Sequence, residues 1–108
     1  MIEIIFKAKE YKITVTGHAD SAEKGHDLVC AAVSTLFYTM GEALFQSAEL
    51  LEEAPVFKDS EDEEEKVISC KPKKDAEGTI ARSFWTILIG MEAIAASNPK
   101  NVKFIVRG

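Results

Sequence analysis

Cysteine, histidine, proline and basic charge are all scarce in this chain of 108 residues. It holds two cysteines, Cys30 and Cys70, and two histidines, His18 and His26. Two cysteines make no disulfide framework, and free thiols are the expectation for a cytoplasmic protein. No CxxC or HxxxH spacing exists, so the pattern of a zinc site is missing. The acidic run at 59–65 lacks the glycine-punctuated ligand order of a calcium loop. No metal and no cofactor are therefore expected. Three prolines and six glycines, with no Gly/Ser-rich stretch and no internal repeat, leave nothing to serve as a linker. One domain is expected over 1–108, large enough for a modest core. Lys and Arg number 13 against 18 Asp and Glu, a formal net charge of −5. That argues against generic nucleic-acid binding, which depends on basic patches that displace counterions from phosphate. A basic start followed by a long apolar stretch is also missing. Met1 runs straight into Ile2, Ile4, Ile5 and Phe6, with Glu3 between them, unlike a signal peptide. The expected location is the cytoplasm, with no membrane partner.

What is present reads as alternating strands and helices. Residues 1–7 form an Ile/Phe-rich strand. After a polar turn at Lys9-Glu10, Tyr11, Ile13 and Val15 alternate with Lys12, Thr14 and Thr16, the spacing of a second strand paired in a hairpin. Residues 17–27, GHADSAEKGHD, contain no large apolar side chain and read as a long loop, of a length that is often functional. Residues 28–51 read as one helix capped by Asp27, whose carboxylate suits the free N–H groups of a first turn. Apolar residues go most of the way around it, so it must be covered on most sides. It is borderline for a membrane span by length, but Ser34, Thr35, Thr39, Glu42, Gln46 and Ser47 favour a buried helix of a soluble fold. Ala54-Pro55 breaks the helix. A short strand at Val56-Phe57 and another through Val67, Ile68 and Cys70 flank the solvated acidic run. A second helix over 76–97, with Trp85 and its other aromatic residues in the core, and a last strand over 102–106 complete the order ββαββαβ. The fold class is α+β, a small mixed or antiparallel sheet with two helices packed on it. Two such apolar helices on a small sheet leave apolar surface uncovered, so a homodimer joined through helix surface is expected.

The reactive side chains gather in the loop and the first helical turn. With Asp27 as cap, Cys30 is the third helical residue, where backbone N–H groups are unpaired and the helix dipole is positive. Thiols at such positions ionise more readily, and the thiolate is the nucleophile. Cys70 lies within a strand, with nothing comparable beside it. A nucleophilic cysteine also needs a base in reach. His18, at the end of the second strand, is held more firmly than a residue in mid-loop; His26 is nearer in sequence. Ser34 is one turn beyond Cys30 on the same face, and Asp27 one turn before it. By spacing alone, the bland alternative is that Cys30 is a small buried hydrophobe and His18 an ordinary strand-end residue.

Gly17-His18-Ala19, followed by Gly25-His26-Asp27-Leu28-Val29-Cys30-Ala31-Ala32-Val33-Ser34, resembles the ribosomal-processing cysteine protease family, Prp. The family pattern is a GHA element, a short glycine-containing loop, then G-x-D-x-x-C-A-A-x-S, and every fixed position is matched. The length and order of elements are similar too. The resemblance implies a cysteine endopeptidase that removes an N-terminal extension from the twenty-seventh large-subunit ribosomal protein. It implies a catalytic dyad of His18 and Cys30, with supporting roles for Asp27 and Ser34. Gly17 and Gly25 match the glycines that flank a mobile loop, and His26 falls at a variable position. The implied partner is the N-terminally extended ribosomal protein, with no direct contact to nucleic acid. Two other functions compete: a non-catalytic, dimeric ribosome-associated binding module of the same fold, and a different thiol enzyme such as a thioesterase.

Overall fold

The computed structural model describes residues 1–17, 26–59 and 65–108, with the backbone alone at positions 26 and 27. Among these residues a five-stranded sheet carries two helices. β1 (Ile2–Lys7) and β2 (Lys12–Thr16) pair antiparallel, with Lys7 opposite Lys12 and Glu3 opposite Thr16. Between them the chain makes a single 3-10 turn at Ala8–Glu10 and turns through Tyr11 at φ 47. α1 (His26–Gln46) leads to β3 (Val56–Lys58) and β4 (Glu65–Ser69). α2 (Glu77–Ser97) then leads to β5 (Val102–Arg107). The strand order is β3-β4-β2-β1-β5, and only β1–β5 is parallel, so the sheet is mixed.

Period-two patterning decides which face is covered. Ile2, Ile4 and Phe6 of β1, Ile13 and Val15 of β2 and Ile68 of β4 point one way and are buried. They meet Val33, Phe37, Met40 and Leu44 of α1 and Ile80, Phe84, Leu88 and Met91 of α2 in one core cluster. The two helices lie side by side, with Leu36 against Gly90. Both are long and apolar enough to cross a membrane by length and composition. Here each presents its buried stripe to the sheet, the behaviour of core helices.

Three expectations need correction. The first helix stops at Gln46 rather than near 51. The Ser47 N–H is shared by the carbonyls of Ala43 and Leu44, and a 3-10 turn follows at Ala48–Leu50. Beyond it, Glu52 N–H reaches Lys71 O and Lys73 N–H reaches Leu50 O, so ladder pairing outcompetes another helical turn. Glu65, read as part of a solvated loop, is instead the first residue of β4 and pairs with Thr16. Trp85, expected in the core, is 43% exposed; its ring meets Phe6 edge-on while Phe84 takes the buried position.

Phe57 shows how tightly α1 is seated. Its ring lies over Gly41, where an added Cβ would come within 2.4 Å of the ring, and it is held by Phe37, Tyr38 and Phe45. Gly41→Ala is expected to lower stability by about 1–2 kcal/mol, since overpacking outweighs the gain in helix propensity. Gly78→Ala, in the first turn of α2 with nothing within 4 Å, is expected to be neutral or stabilising by up to about 0.5 kcal/mol. Urea titrations of both variants check the pair; equal effects would contradict the packing.

Candidate active site

The direction of α1 brings the reactive groups to one end of the sheet. β3 runs antiparallel to β4, and β4 antiparallel to β2, so β3 rises in the same sense as β2. Along α1 the contacts run the other way. Phe45 and Gly41 meet Phe57, whereas Tyr38, earlier in the helix, meets Asp59, further along the strand. α1 is therefore antiparallel to β2, and its first turn sits where β2 finishes at Thr16.

That strand end is closely constrained. Gly17 follows it at φ +87, a conformation that other residues adopt only with strain, and an added Cβ would come within 2.0 Å of the Met1 carbonyl oxygen. The glycine of the GHA element is thus a steric requirement of the turn that leads to residue 18. His18, expected as the base, lies outside the described residues, as do Gly25 and the rest of 18–25.

On the helix side, α1 begins at His26, not after Asp27. Asp27 accordingly lies within the helix and is not its cap, and Cys30 comes later than the third helical residue. In an α-helix the first four N–H groups have no partner within the helix, and with these bounds they precede that of Cys30. Helical side chains lean back toward the N-terminus, so the thiol still points along the turn that carries those free groups. Cys30 is half-buried, packed against the core at its base, beside the buried Val29 and Val33. Ser34, half-buried one turn on, lies on the same flank, the one facing β4 and β3. Leu28 and Ala31, on the outer side, are exposed. Cys30 and Ser34 thus lie one turn apart on α1, both half-buried.

Cys70 is placed differently. It is buried just beyond β4, its N–H bonded to Tyr11 O, at the opposite end of the sheet. Burial pushes its thiol up to about 11. Both cysteines are free. Tyr11 beside it also titrates above its usual range, through burial and the charges of Glu77 and Cys70. A recess of about 440 Å³ opens there, lined by Tyr11, Lys12, Ser69, Cys70 and Lys71 among others, far from the first turn of α1. Among the described residues no group of three or more His, Cys, Asp or Glu side chains is arranged to hold a metal ion.

A half-buried thiol early in a helix of an α+β sandwich is compatible with thiol chemistry. The family follows from the whole chain: the model of the family described as cysteine protease Prp matches residues 1–103, and the chain belongs to that family. Solved structures agree on the fold. The ribosomal processing protease Prp from S. aureus, in complex with a covalently linked product peptide, is 22% identical with a TM-score of 0.75, over 99% of this chain and 100% of that one. The same protease with a substrate peptide is 19% identical with a TM-score of 0.71, over 98% and 97%. SMU.848 from Streptococcus mutans is 25% identical with a TM-score of 0.72, over 98% and 91%. No curated protein matches the chain.

The two thiols should separate cleanly in labelling. With its thiol near 11 and buried, Cys70 holds on the order of one thiolate in ten thousand molecules at neutral pH. Iodoacetamide at pH 7 is expected to alkylate Cys30 while leaving Cys70 unmodified in the native protein, as read by peptide mass spectrometry. Equal labelling of both would contradict this placement.

Proposed function

We propose that the chain is a cytoplasmic cysteine endopeptidase that removes the N-terminal extension of the twenty-seventh large-subunit ribosomal protein. The observation that carries the reading is family membership over 1–103, with the family's cysteine on the half-buried flank of α1. The S. aureus relative, solved with a substrate peptide and with a covalently linked product, supports covalent chemistry on peptides.

In this reading His18 takes the Cys30 proton, and the thiolate attacks the scissile carbonyl to form a tetrahedral intermediate. The free N–H groups of the first turn of α1 are directed at the developing oxyanion. His18 then gives its proton to the departing amine, which leaves as the new N-terminus and carries the mature protein away. The extension stays on Cys30 as a thioester. Water, deprotonated by His18, releases it as a carboxylic acid and restores the thiol. Asp27 and Ser34 support the site from either side along the helix. The test is incubation with the extended ribosomal protein of the same organism, read by mass spectrometry. The native enzyme is expected to yield two products that sum to the precursor plus one water. Cys30→Ala abolishes cleavage, and His18→Ala lowers it by roughly 10²–10⁴-fold, far more than His26→Ala. An intact precursor with the native enzyme would favour a binding module instead.

The proposal includes a homodimer. Leu28 is 75% exposed and Ile89 70%, and Phe45 and Trp85 are partly exposed on helix flanks. Apolar surface on that scale usually marks a contact site. Sedimentation at micromolar concentration is expected to give the mass of two chains; monomer throughout that range would rule the dimer out.

A further inference from the structure

Three polar side chains between α1 and the sheet have no part in the steps above. The Tyr38 hydroxyl donates to Asp59 Oδ2. Asp59 Oδ1 lies 3.2 Å from Lys66 Nζ. That ammonium sits 5.8 Å from the centre of the Tyr38 ring, so cation, carboxylate and phenol close a triangle. The ring is braced by Phe37 and Phe57, each with its centroid 6.0 Å away. The Asp59 and Lys66 side chains retain 15% and 33% of their exposure. An ion pair left this accessible contributes little to stability. Stability alone does not account for it.

Its position does. Lys66 pairs in register with Val15 of β2 and shares its helix-facing side of the sheet. Three residues beyond Val15 the chain reaches His18. Tyr38 lies eight residues after Cys30, roughly 12 Å along the axis at 1.5 Å per residue. Cys30, Ser34 and Tyr38 recur at four-residue spacing along one flank of α1. The cluster therefore links the helix that carries the thiol, through Asp59 and β4, to the strand that leads to the histidine. We infer that Tyr38, Asp59 and Lys66 are positioning residues that hold β2 and α1 in the register at which His18 reaches Cys30. The inference rests on the dyad proposed above.

Losing the clasp changes the approach of base to thiol, not the peptide contacts, so it acts on kcat rather than KM. A displacement of about 1 Å between reacting groups costs as much as 100-fold. Tyr38→Phe is the sharpest probe, because it keeps the ring and its stacking and removes the hydroxyl alone. Asp59→Asn is the second. Thr39→Ala is the control: its hydroxyl, in the same turn, bonds only to the Thr35 carbonyl of its own helix. Steady-state cleavage of the extended ribosomal protein, with thermal melts of every variant, is the experiment. Tyr38→Phe and Asp59→Asn are expected to lower kcat about tenfold with KM within twofold, and Thr39→Ala to leave both unchanged. In a His18→Ala background, Tyr38→Phe is expected to cost no more than about twofold further, because its effect passes through the histidine. Unchanged kcat in folded Tyr38→Phe, a change confined to KM, or a full tenfold loss in the His18→Ala background would each overturn the clasp while leaving the protease intact. Failure of the native enzyme to cleave would overturn the protease reading, and the clasp with it.

Discussion

β2 is the strand on which the rest of the molecule depends. It occupies the middle of the sheet, paired along its full length with β1 on one side and β4 on the other. Ile13 and Val15 on its covered face are almost wholly buried, and Thr14 on the other face is buried too. A strand tied on both edges and buried on both faces cannot slip register without moving every side chain to the wrong face. Its end is therefore a fixed point, and Gly17 turns the chain there at a φ suited to glycine, against the carbonyl of Met1. The GHA element starts at that point.

The second half of the motif is fixed by helix packing. Phe57 seats on Gly41 and sets the height of α1 against β3, while Val33, Phe37, Met40 and Leu44 set its rotation. The same rotation that buries those four leaves Cys30 and Ser34 on the flank facing β4. Thiol exposure is thus a consequence of core packing one to four turns away. The two cysteines illustrate how far environment outweighs residue type. Cys70, buried at the other end of the sheet, is held as a neutral thiol, whereas Cys30 is only half-buried.

Much of this was legible in the sequence, for identifiable reasons. Alternation in β1 and β2 and the long apolar periods of the helices follow from burial, so the order ββαββαβ and the α+β class emerge directly. The helix ends were harder. Asp27 has the chemistry of a cap, yet it lies within α1. Leu50 likewise looks helical until the Lys73 N–H bonds to its carbonyl. Trp85 departs from the expected core position because place on an apolar helix does not say which stripe the second layer covers. The Tyr38–Asp59–Lys66 cluster left no sequence signal at all. Asp59 is hidden in an acidic run, and its partners lie 21 residues before it and beyond the next connection. The GHA and G-x-D-x-x-C-A-A-x-S elements were readable only as a resemblance, since spacing alone leaves Cys30 an ordinary core cysteine.

The central claim is that Cys30 carries the acyl group of the cleaved extension. Acid-quenched reactions of the native enzyme with the extended ribosomal protein, sampled before one turnover and followed by intact-mass and peptide mass spectrometry, test it most directly. A transient enzyme species heavier by the extension less one water is expected, with the added mass mapped to Cys30. Cleavage with no such adduct under conditions that trap thioesters, or an adduct mapped to Cys70, would contradict it.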